Sequence, residues 1–529
     1  MTVAGRRWVV HRLAAAAIAA SLFGGCSALT PTPPATVPPT PAEPSATPSP
    51  DPWAELEDFA PGLRPAGTPV DTSSGEPAGA KTITIELGAG DDPPGTFRRT
   101  SVGLSFEASD LADPRWEPGS SSLETLVKAL RKPSLRFGGN SVDRRVWWTS
   151  RGEPAPEWAE VTIGPDDMAR LGRFADATDA TVTMALPLGH FDPDRAADMA
   201  KYARRALGER LVAVAIGNEP NGFRLESQPQ YRIRGRGWSP EKWVDEARKY
   251  EQAIHNQVPD LPLAGPGAYD ARWLRAFADA ELTNTRALTQ HWYPLWSCPG
   301  RKGDTDADAA PSVDNLASPD LPDRTSSTLG VGAEIARDND LPFWIEEIGP
   351  TSCPGTGETS RTGAQALWTV EIALQAAGLG ADRLNLHSSL ASCRGGPPMS
   401  VVCGADGSVD NDPRVVGRSN YLALLFAGQV RAGELVPVRV SGSERVRAYA
   451  TRSRSGVDVV VIAMDESSAR YAVRWRGDKD LKVSQISRLD SGGLAARDTA
   501  RLTLLGPTRD SPTRLSGGTA TLIRFDVVD

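Results

Sequence analysis

The chain has 529 residues, a net charge of -8 and 40% hydrophobic residues. That acidic balance argues against a nucleic-acid surface or an anionic-membrane surface, and no block of basic residues reverses it. The apolar content is ample for one large domain and a smaller one.

In chain order, the first feature is a basic start (Arg6, Arg7, Arg12) followed by an apolar run from Leu13 to Phe23 and by Gly24-Gly25-Cys26-Ser27. The run is far short of the ~20 apolar residues of a spanning helix, so residues 1–25 read as a secretion signal. Small residues before Cys26 resemble a bacterial lipoprotein cleavage site, with Phe23 where a leucine is usual. Cys26 is then the acylated first residue, and the protein is extracytoplasmic, a cell-membrane lipoprotein held by its lipid alone. Ordinary secretion is the alternative. Residues 26–80 open with Pro31-Thr32-Pro33-Pro34 and Pro38-Pro39-Thr40-Pro41, a composition with little to bury, and read as a disordered linker.

Residues 81–98 begin with the alternating run Lys81 to Leu87, expected to add a strand to a later sheet. Between 99 and 417, strand-like runs recur at Ser101 to Ala108, Ser134 to Gly138, Ala180 to Leu188, Leu211 to Gly217, Leu261 to Pro266, Ala287 to Tyr293, Leu341 to Ile345 and Asp382 to Ser388. Helical patterns separate them, among them Asp166 to Thr178, Asp192 to Leu207, Pro240 to Gln257 and Ala364 to Ala377. Eight alternations are the count for a closed (β/α)8 TIM barrel, an α/β fold. Over 418–529, after a helix-like Tyr421 to Val430, the texture changes to short β runs separated by turns, which predicts a C-terminal antiparallel β-sandwich.

Two glutamates end apolar runs in the barrel region. Glu219 follows Val212-Ala213-Val214-Ala215-Ile216-Gly217-Asn218, and Glu347 follows Phe343-Trp344-Ile345-Glu346. Catalytic groups of such barrels stand at the C-terminal ends of strands. Splitting a glycosidic bond takes one acid for the leaving oxygen and one carboxylate for the oxocarbenium-like carbon. A glycoside hydrolase, an O-glycosyl hydrolase acting on an oligosaccharide or polysaccharide, is therefore expected, with Glu219 and Glu347 as catalytic residues. Glu346 is the rival of Glu347, and since adjacent strand residues face opposite sides, only one of the two is expected to point into the site.

Four cysteines besides Cys26 form an even set: Cys298, Cys353, Cys393 and Cys403. In an oxidising compartment two disulfides are expected, and Cys393–Cys403 with Cys298–Cys353 is the pairing chosen among three; free buried thiols are the alternative. No cysteine or histidine spacing points to zinc. The run Asp304 to Asp308 begins like a calcium loop, but Ala309 stands where the turn glycine belongs. No metal or organic cofactor is expected, and the protein is expected to be a monomer.

Ser105-Phe106-Glu107, Leu135-Arg136-Phe137-Gly138-Gly139-Asn140-Ser141-Val142-Asp143, His291-Trp292-Tyr293-Pro294 and Trp344-Ile345-Glu346-Glu347 resemble, in order and spacing, glycoside hydrolase family 79 of clan A, the heparanases and bacterial β-glucuronidases. The likeness spans Lys81 to Asp529. It implies a retaining mechanism with Glu219 as acid/base and Glu347 as nucleophile. It also implies that Asn218 reaches the sugar 2-hydroxyl, that Tyr293 hydrogen-bonds the nucleophile, and that Glu107 and Asn140 contact sugar hydroxyls. Arg272, beside Asp270, corresponds to a loop that touches the chain beyond the cleaved sugar. Trp147, Trp148, Trp292 and Trp296 follow barrel strands and are candidate sugar platforms. One departure stands out: Thr351-Ser352-Cys353-Pro354-Gly355 replaces the Tyr-Gly-Gly type loop that holds a uronic acid in the family. The readings are thus a β-glucuronidase or heparanase-like enzyme, a clan A β-glycosidase for neutral sugars, or an inactive glycan-binding envelope lipoprotein.

The lipoprotein reading makes Cys26→Ala release the protein from membranes into the soluble fraction. Membrane association unchanged by that substitution, or a mature N-terminus mapped elsewhere, sets it aside.

Overall fold

In the computed structural model the described residues are 55–68, 70, 82–88, 95–98, 102–224, 232–296, 307–352, 355–405, 413–465, 469–476, 480–508 and 514–528. Cys26, Cys298 and Cys353 lie outside them, as do the signal segment and the Pro/Thr-rich run.

Eight parallel strands close into a barrel: β1 (Val102–Glu107), β2 (Ser134–Gly138), β3 (Thr181–Leu186), β4 (Leu211–Ile216), β5 (Leu263–Ala268), β6 (Thr285–Trp292), β7 (Phe343–Ile348) and β8 (Ala381–His387). Each overlaps one of the apolar runs read from the sequence. β5 pairs back onto β4 and β8 onto β1, so no edge is left open. The strands are almost wholly buried because helices such as Pro165–Thr178, Pro193–Leu207 and Pro240–Gln257 cover their outer faces. Pro opens each of these helices at a position whose N–H has no helical partner, and Ser239 and Asp192 cap two of them through their side chains.

The C-terminal part packs an eight-stranded sheet on a four-stranded one. Its central strand Gly456–Ala463 is buried on both faces: Val457, Val459 and Val461 enter the sandwich core, while Val460 and Ile462 join the barrel's apolar cluster. The polar residue on the barrel-facing side is Asp458, fully buried, and both Arg431 and Arg524 hold it. Helices Gly363–Gly378 and Ser419–Ala427 are apolar nearly all round and fill the layer between barrel and sandwich. Within that layer Arg447 Nη1 donates to Glu371 Oε2 at 2.5 Å and Tyr449 donates to Glu371 Oε1, which ties the two parts by a buried pair.

Thr82–Leu87 lies in the four-stranded sheet, antiparallel to Val438–Ser441 but parallel to Ala469–Trp475, so that sheet is mixed where an antiparallel one was expected. Strands Gly433–Val436, Arg501–Pro507 and Arg514–Leu515 had no counterpart among the β runs read from the sequence. The disordered linker over 26–80 also needs correcting. Leu56, Ala60 and Leu63 are buried, Leu63–Arg64 pairs in parallel with Leu502–Thr503, and Phe59 accepts the N–H of Gly417. A few leucines in a sparse segment suffice to dock it once a large sheet edge is available. No helix among the described residues is long and apolar enough to cross a membrane.

A chain that begins at residue 55 should melt with the full-length protein. One that begins at residue 70 should be destabilised, since burying Leu56 and Leu63 contributes about 1.5–3 kcal/mol each. Equal melting temperatures for the two would show that the docked segment adds nothing.

Candidate active site

The sequence after β4 turns sharply because three successive residues leave the strand. Gly217 has φ 81° and Glu219 φ 47°, the left-handed region that a glutamate occupies only at a cost of about 1–2 kcal/mol. Their amides are all satisfied: Gly217 N–H donates to Leu186 O on β3, Asn218 N–H to Asp143 Oδ2, and Glu219 N–H to Gly267 O on β5. Asp143, fully buried after β2, also accepts the N–H groups of Leu188 and Gly189. Burial raises its carboxyl above the usual range, while those three amides and Arg144 oppose the shift. The loop that carries Glu219 is therefore braced on three sides.

On β7 both Glu346 and Glu347 are buried, and both point inward. Against β6 the register runs Gln290–Ile345 and then His291–Glu347, skipping Glu346. This bulge breaks the alternation that was expected to send one glutamate out. Glu346 reaches across the barrel to accept the Thr183 hydroxyl at 2.5 Å. Glu347 rises one layer higher, into the site.

There Arg136, from β2, holds the constellation. Its Nη1 donates to Glu347 Oε2 at 2.5 Å and to Ser105 Oγ at 3.0 Å, and its Nη2 donates to Asn218 Oδ1 at 2.6 Å. Tyr293 Oη donates to Glu347 Oε1 at 2.8 Å, and His387 Nδ1 stands 3.7 Å from that oxygen. Burial by itself raises the Glu347 carboxyl, but Arg136, His291, His387 and the Tyr293 hydroxyl outweigh it and bring it down to about 2. Burial first, then the charges of Glu347 and Glu219, push the Tyr293 phenol well up, which keeps it a donor. Among the described residues Glu219 makes one contact of this kind, between its Oε1 and His291 Nδ1 at 3.0 Å, and its side chain is 16% exposed. Atoms of Glu219, His291 and Glu347 lie within 4.8 Å of one another.

Glu219, Glu347, Asn218 and Tyr293 thus converge. Asn218 spends its oxygen on Arg136, and its buried Nδ2 has no partner among the described residues. The other candidates are differently employed. Glu107 accepts the N–H groups of Asn140 and Ser141, and Asn140 Oδ1 accepts from Arg144. Arg272 is exposed and paired with Asp270. Trp148 and Trp292 are buried packing residues, and Trp147 lies beneath the Arg195 guanidinium at 3.7 Å. Cys393, in the loop after β8, forms a disulfide with Cys403 on the short strand Val402–Gly404, and Arg418 Nε donates to Cys403 Sγ. The sequence reading gave no roles to His291, His387 or Asp143. All three stood inside motifs or strands already marked, but pairing across strands cannot be read from one strand's residues.

No family model matches the chain. Baicalin-β-D-glucuronidase of Scutellaria baicalensis is 21% identical over 398 residues, 66% of this chain and 69% of that protein. Among solved structures, a 4-O-α-L-rhamnosyl-β-D-glucuronidase from Fusarium oxysporum 12S superposes with TM-score 0.64 at 18% identity, covering 83% of this chain and all of that one. A family 51 arabinofuranosidase from Xanthomonas axonopodis pv. citri gives 0.59 at 13% identity, over 84% of this chain and all of that one. A family 44 xyloglucanase of Paenibacillus polymyxa gives 0.55 at 11% identity, over 85% and 100%. The barrel glycosidase fold and the resemblance to β-glucuronidases drawn from the motifs are both borne out.

The Tyr293 hydroxyl serves the ionised Glu347, so Tyr293→Phe should cost about 1.5–3 kcal/mol, the range for a bond to a charged acceptor. The sign follows from the lowered carboxyl. Its contribution is complete above the ordinary 4.5 and is lost as pH falls towards about 2. Melting curves of the two proteins should therefore differ at pH 6 and converge near pH 2; a gap that is constant with pH would place the effect in packing.

Proposed function

We propose that the chain is a retaining β-glycosidase of the β-glucuronidase type, acting on extracellular glycans from the outer face of the cell membrane. The observation that carries this is the pair of carboxylates, with oxygens of Glu219 and Glu347 within 4.8 Å of each other. A retaining pair stands about 5–5.5 Å apart, and an inverting pair leaves about 6.5–9.5 Å for a water. The environments divide the labour. Glu347, stripped of its proton by Arg136 and its neighbours, attacks the anomeric carbon. Glu219 gives its proton to the leaving oxygen, then deprotonates the water that releases the sugar. Asn218 Nδ2, buried and uncommitted, supports a contact to the sugar 2-hydroxyl.

A neutral sugar is the second reading, and one observation favours it. The strand after β7 is Thr351–Ser352, paired with Leu295–Trp296, where the family carries its uronate-binding tyrosine. Rates on aryl β-glucuronide, glucoside, galactoside and xyloside decide between the two.

For the mechanism, a 2-deoxy-2-fluoro glycosyl fluoride of the preferred sugar should leave a lasting adduct on Glu347. Glu219→Ala should lose about 10²–10⁴ in rate on phenyl glycosides but keep the first step on dinitrophenyl glycosides, with azide restoring turnover. A label on Glu346, an inverted product, or equal losses on both substrates would each contradict the assignment.

A further inference from the structure

Glu346 has no part in the reaction proposed above, yet it is buried inside the barrel directly beneath it. Its Oε2 accepts the Thr183 hydroxyl, which fixes the carboxyl plane. Its Oε1 is buried and has no hydrogen-bond partner among the described residues. His291 presents the same situation. Its Nδ1 faces Glu219 Oε1, and its buried Nε2 has no partner among those residues. Both side chains line one internal cavity, with Arg136, Thr183 and Thr289 as the other polar wall residues. The cavity leaves about 10 Å³ for the centre of a water molecule. One water needs on the order of 10–15 Å³ by this measure, together with two to four polar partners. A methyl group on Gly267 would stand 3.2 Å from His291 Nε2, so the glycine there also preserves the space.

We infer that one buried water bridges Glu346 Oε1 and His291 Nε2, making Glu346 a positioning residue that sets the tautomer of His291 and through it the proton on Glu219. The inference rests on the reading of Glu219 as the acid. A carboxylate only accepts, so the water gives Glu346 one hydrogen; with its second hydrogen on the Thr183 or Thr289 oxygen of the same wall, it turns a lone pair to His291. Nε2 then carries the ring proton, and Nδ1 is left as a bare acceptor facing Glu219. The partner that suits a bare nitrogen is an O–H, which favours the protonated form of Glu219 that the first step consumes. The opposite tautomer would donate from Nδ1 and favour the carboxylate. No proton is gained or lost by the water or by Glu346. Glu219 passes its proton to the leaving oxygen and recovers one from the attacking water. The charged and titratable groups set around this ring are Glu219 after β4, Glu346 and Glu347 on β7, Arg136 on β2 and Tyr293 after β6. Arg383 on β8 stands close enough to Glu346 to feel its charge.

The test is Glu346→Gln in the full chain, which keeps the volume and removes the obligate acceptor. On phenyl β-glucuronide kcat/KM should fall about tenfold, well short of the ~10²–10⁴ that a lost acid costs, while dinitrophenyl β-glucuronide is barely affected. The basic limb of the pH profile should move to lower pH. If the preferred sugar is neutral, the matching aryl glycosides replace these. Equal losses on both leaving groups, or an unmoved basic limb, overturn the inference while the reaction assignment stands. Loss of both activities in the variant, together with a fluoro-sugar label on Glu346 of the wild-type protein, instead overturns the nucleophile assignment and this inference together. A second measurement needs no variant of Glu346. ¹⁵N spectra of the five histidines, with His291 identified through His291→Gln, should show His291 protonated on Nε2. Protonation on Nδ1 in the wild-type protein refutes the proposal even if Glu346→Gln does not fold.

Discussion

The buried contact between Arg136 and Glu347 is the interaction on which the rest of the site depends. Bringing both groups out of water costs several kcal/mol per ion, and only good geometry with further hydrogen bonds offsets it. Both conditions are met here. Arg136 places its donors on Glu347, Asn218 and Ser105, from three strands, and Glu347 fills its second oxygen with the Tyr293 hydroxyl. Removing either partner would strand a charge in the barrel, an error that typically costs about 3–5 kcal/mol. The same guanidinium also engages the Asn218 oxygen, leaving its nitrogen without a partner among the described residues, which links the position of one strand-end to the charge of another.

That arrangement needs Glu347 to point inward, and the bulge in β7 is what aims it. In a regular strand successive side chains alternate, so with Glu347 facing in, Glu346 would face out among the covering helices. Skipping one residue against β6 brings both carboxyl groups inside at different heights, the lower one on Thr183 and the upper one on Arg136. Bulges beside functional residues are a recurrent means of re-aiming a side chain without disturbing the flanking pairs, and Ile345 and Ile348 indeed keep their partners on β8.

Much of this was legible in the sequence, and the reasons are physical. Each barrel strand is a short apolar run bounded by turn residues, and covering helices such as Pro165–Thr178, Pro193–Leu207 and Pro240–Gln257 have a 3.6-residue stripe, so the alternation of β and α survives without any knowledge of contacts. Gly217-Asn218-Glu219-Pro220 announces a strand end because glycine and proline punctuate the backbone there. What could not be read was pairing across distance. Arg136 stands in a marked strand and reads as a barrel-core ion-pair partner, but which carboxylate it meets shows only once β7 is laid three strands from β2, and the docking of Leu56, Ala60 and Leu63 requires a sheet edge near the far end of the chain, at Leu502. The bulge was likewise invisible, because Phe-Trp-Ile-Glu-Glu-Ile has no glycine to mark it. Nor does alternation distinguish parallel from antiparallel pairing, so the direction of Thr82–Leu87 against Ala469–Trp475 had to come from the structure.

The two glutamates of the site are the same side chain, and what separates them is their surroundings. Glu347 is met by a guanidinium and a phenol, with an imidazole at 3.7 Å, and burial among those groups leaves its ionised form favoured. Glu219 sits at the end of a braced turn, partly open to solvent, with a single imidazole nitrogen as its side-chain partner among the described residues. The charge that Glu347 retains therefore stands within 4.8 Å of a second carboxyl group whose surroundings are different in kind. A cation shared between them would have erased the difference. Arg136 instead spends its donors on Glu347 and on Asn218, leaving Glu219 beyond its reach, and the resulting inequality is what an acid and a nucleophile require of two identical groups.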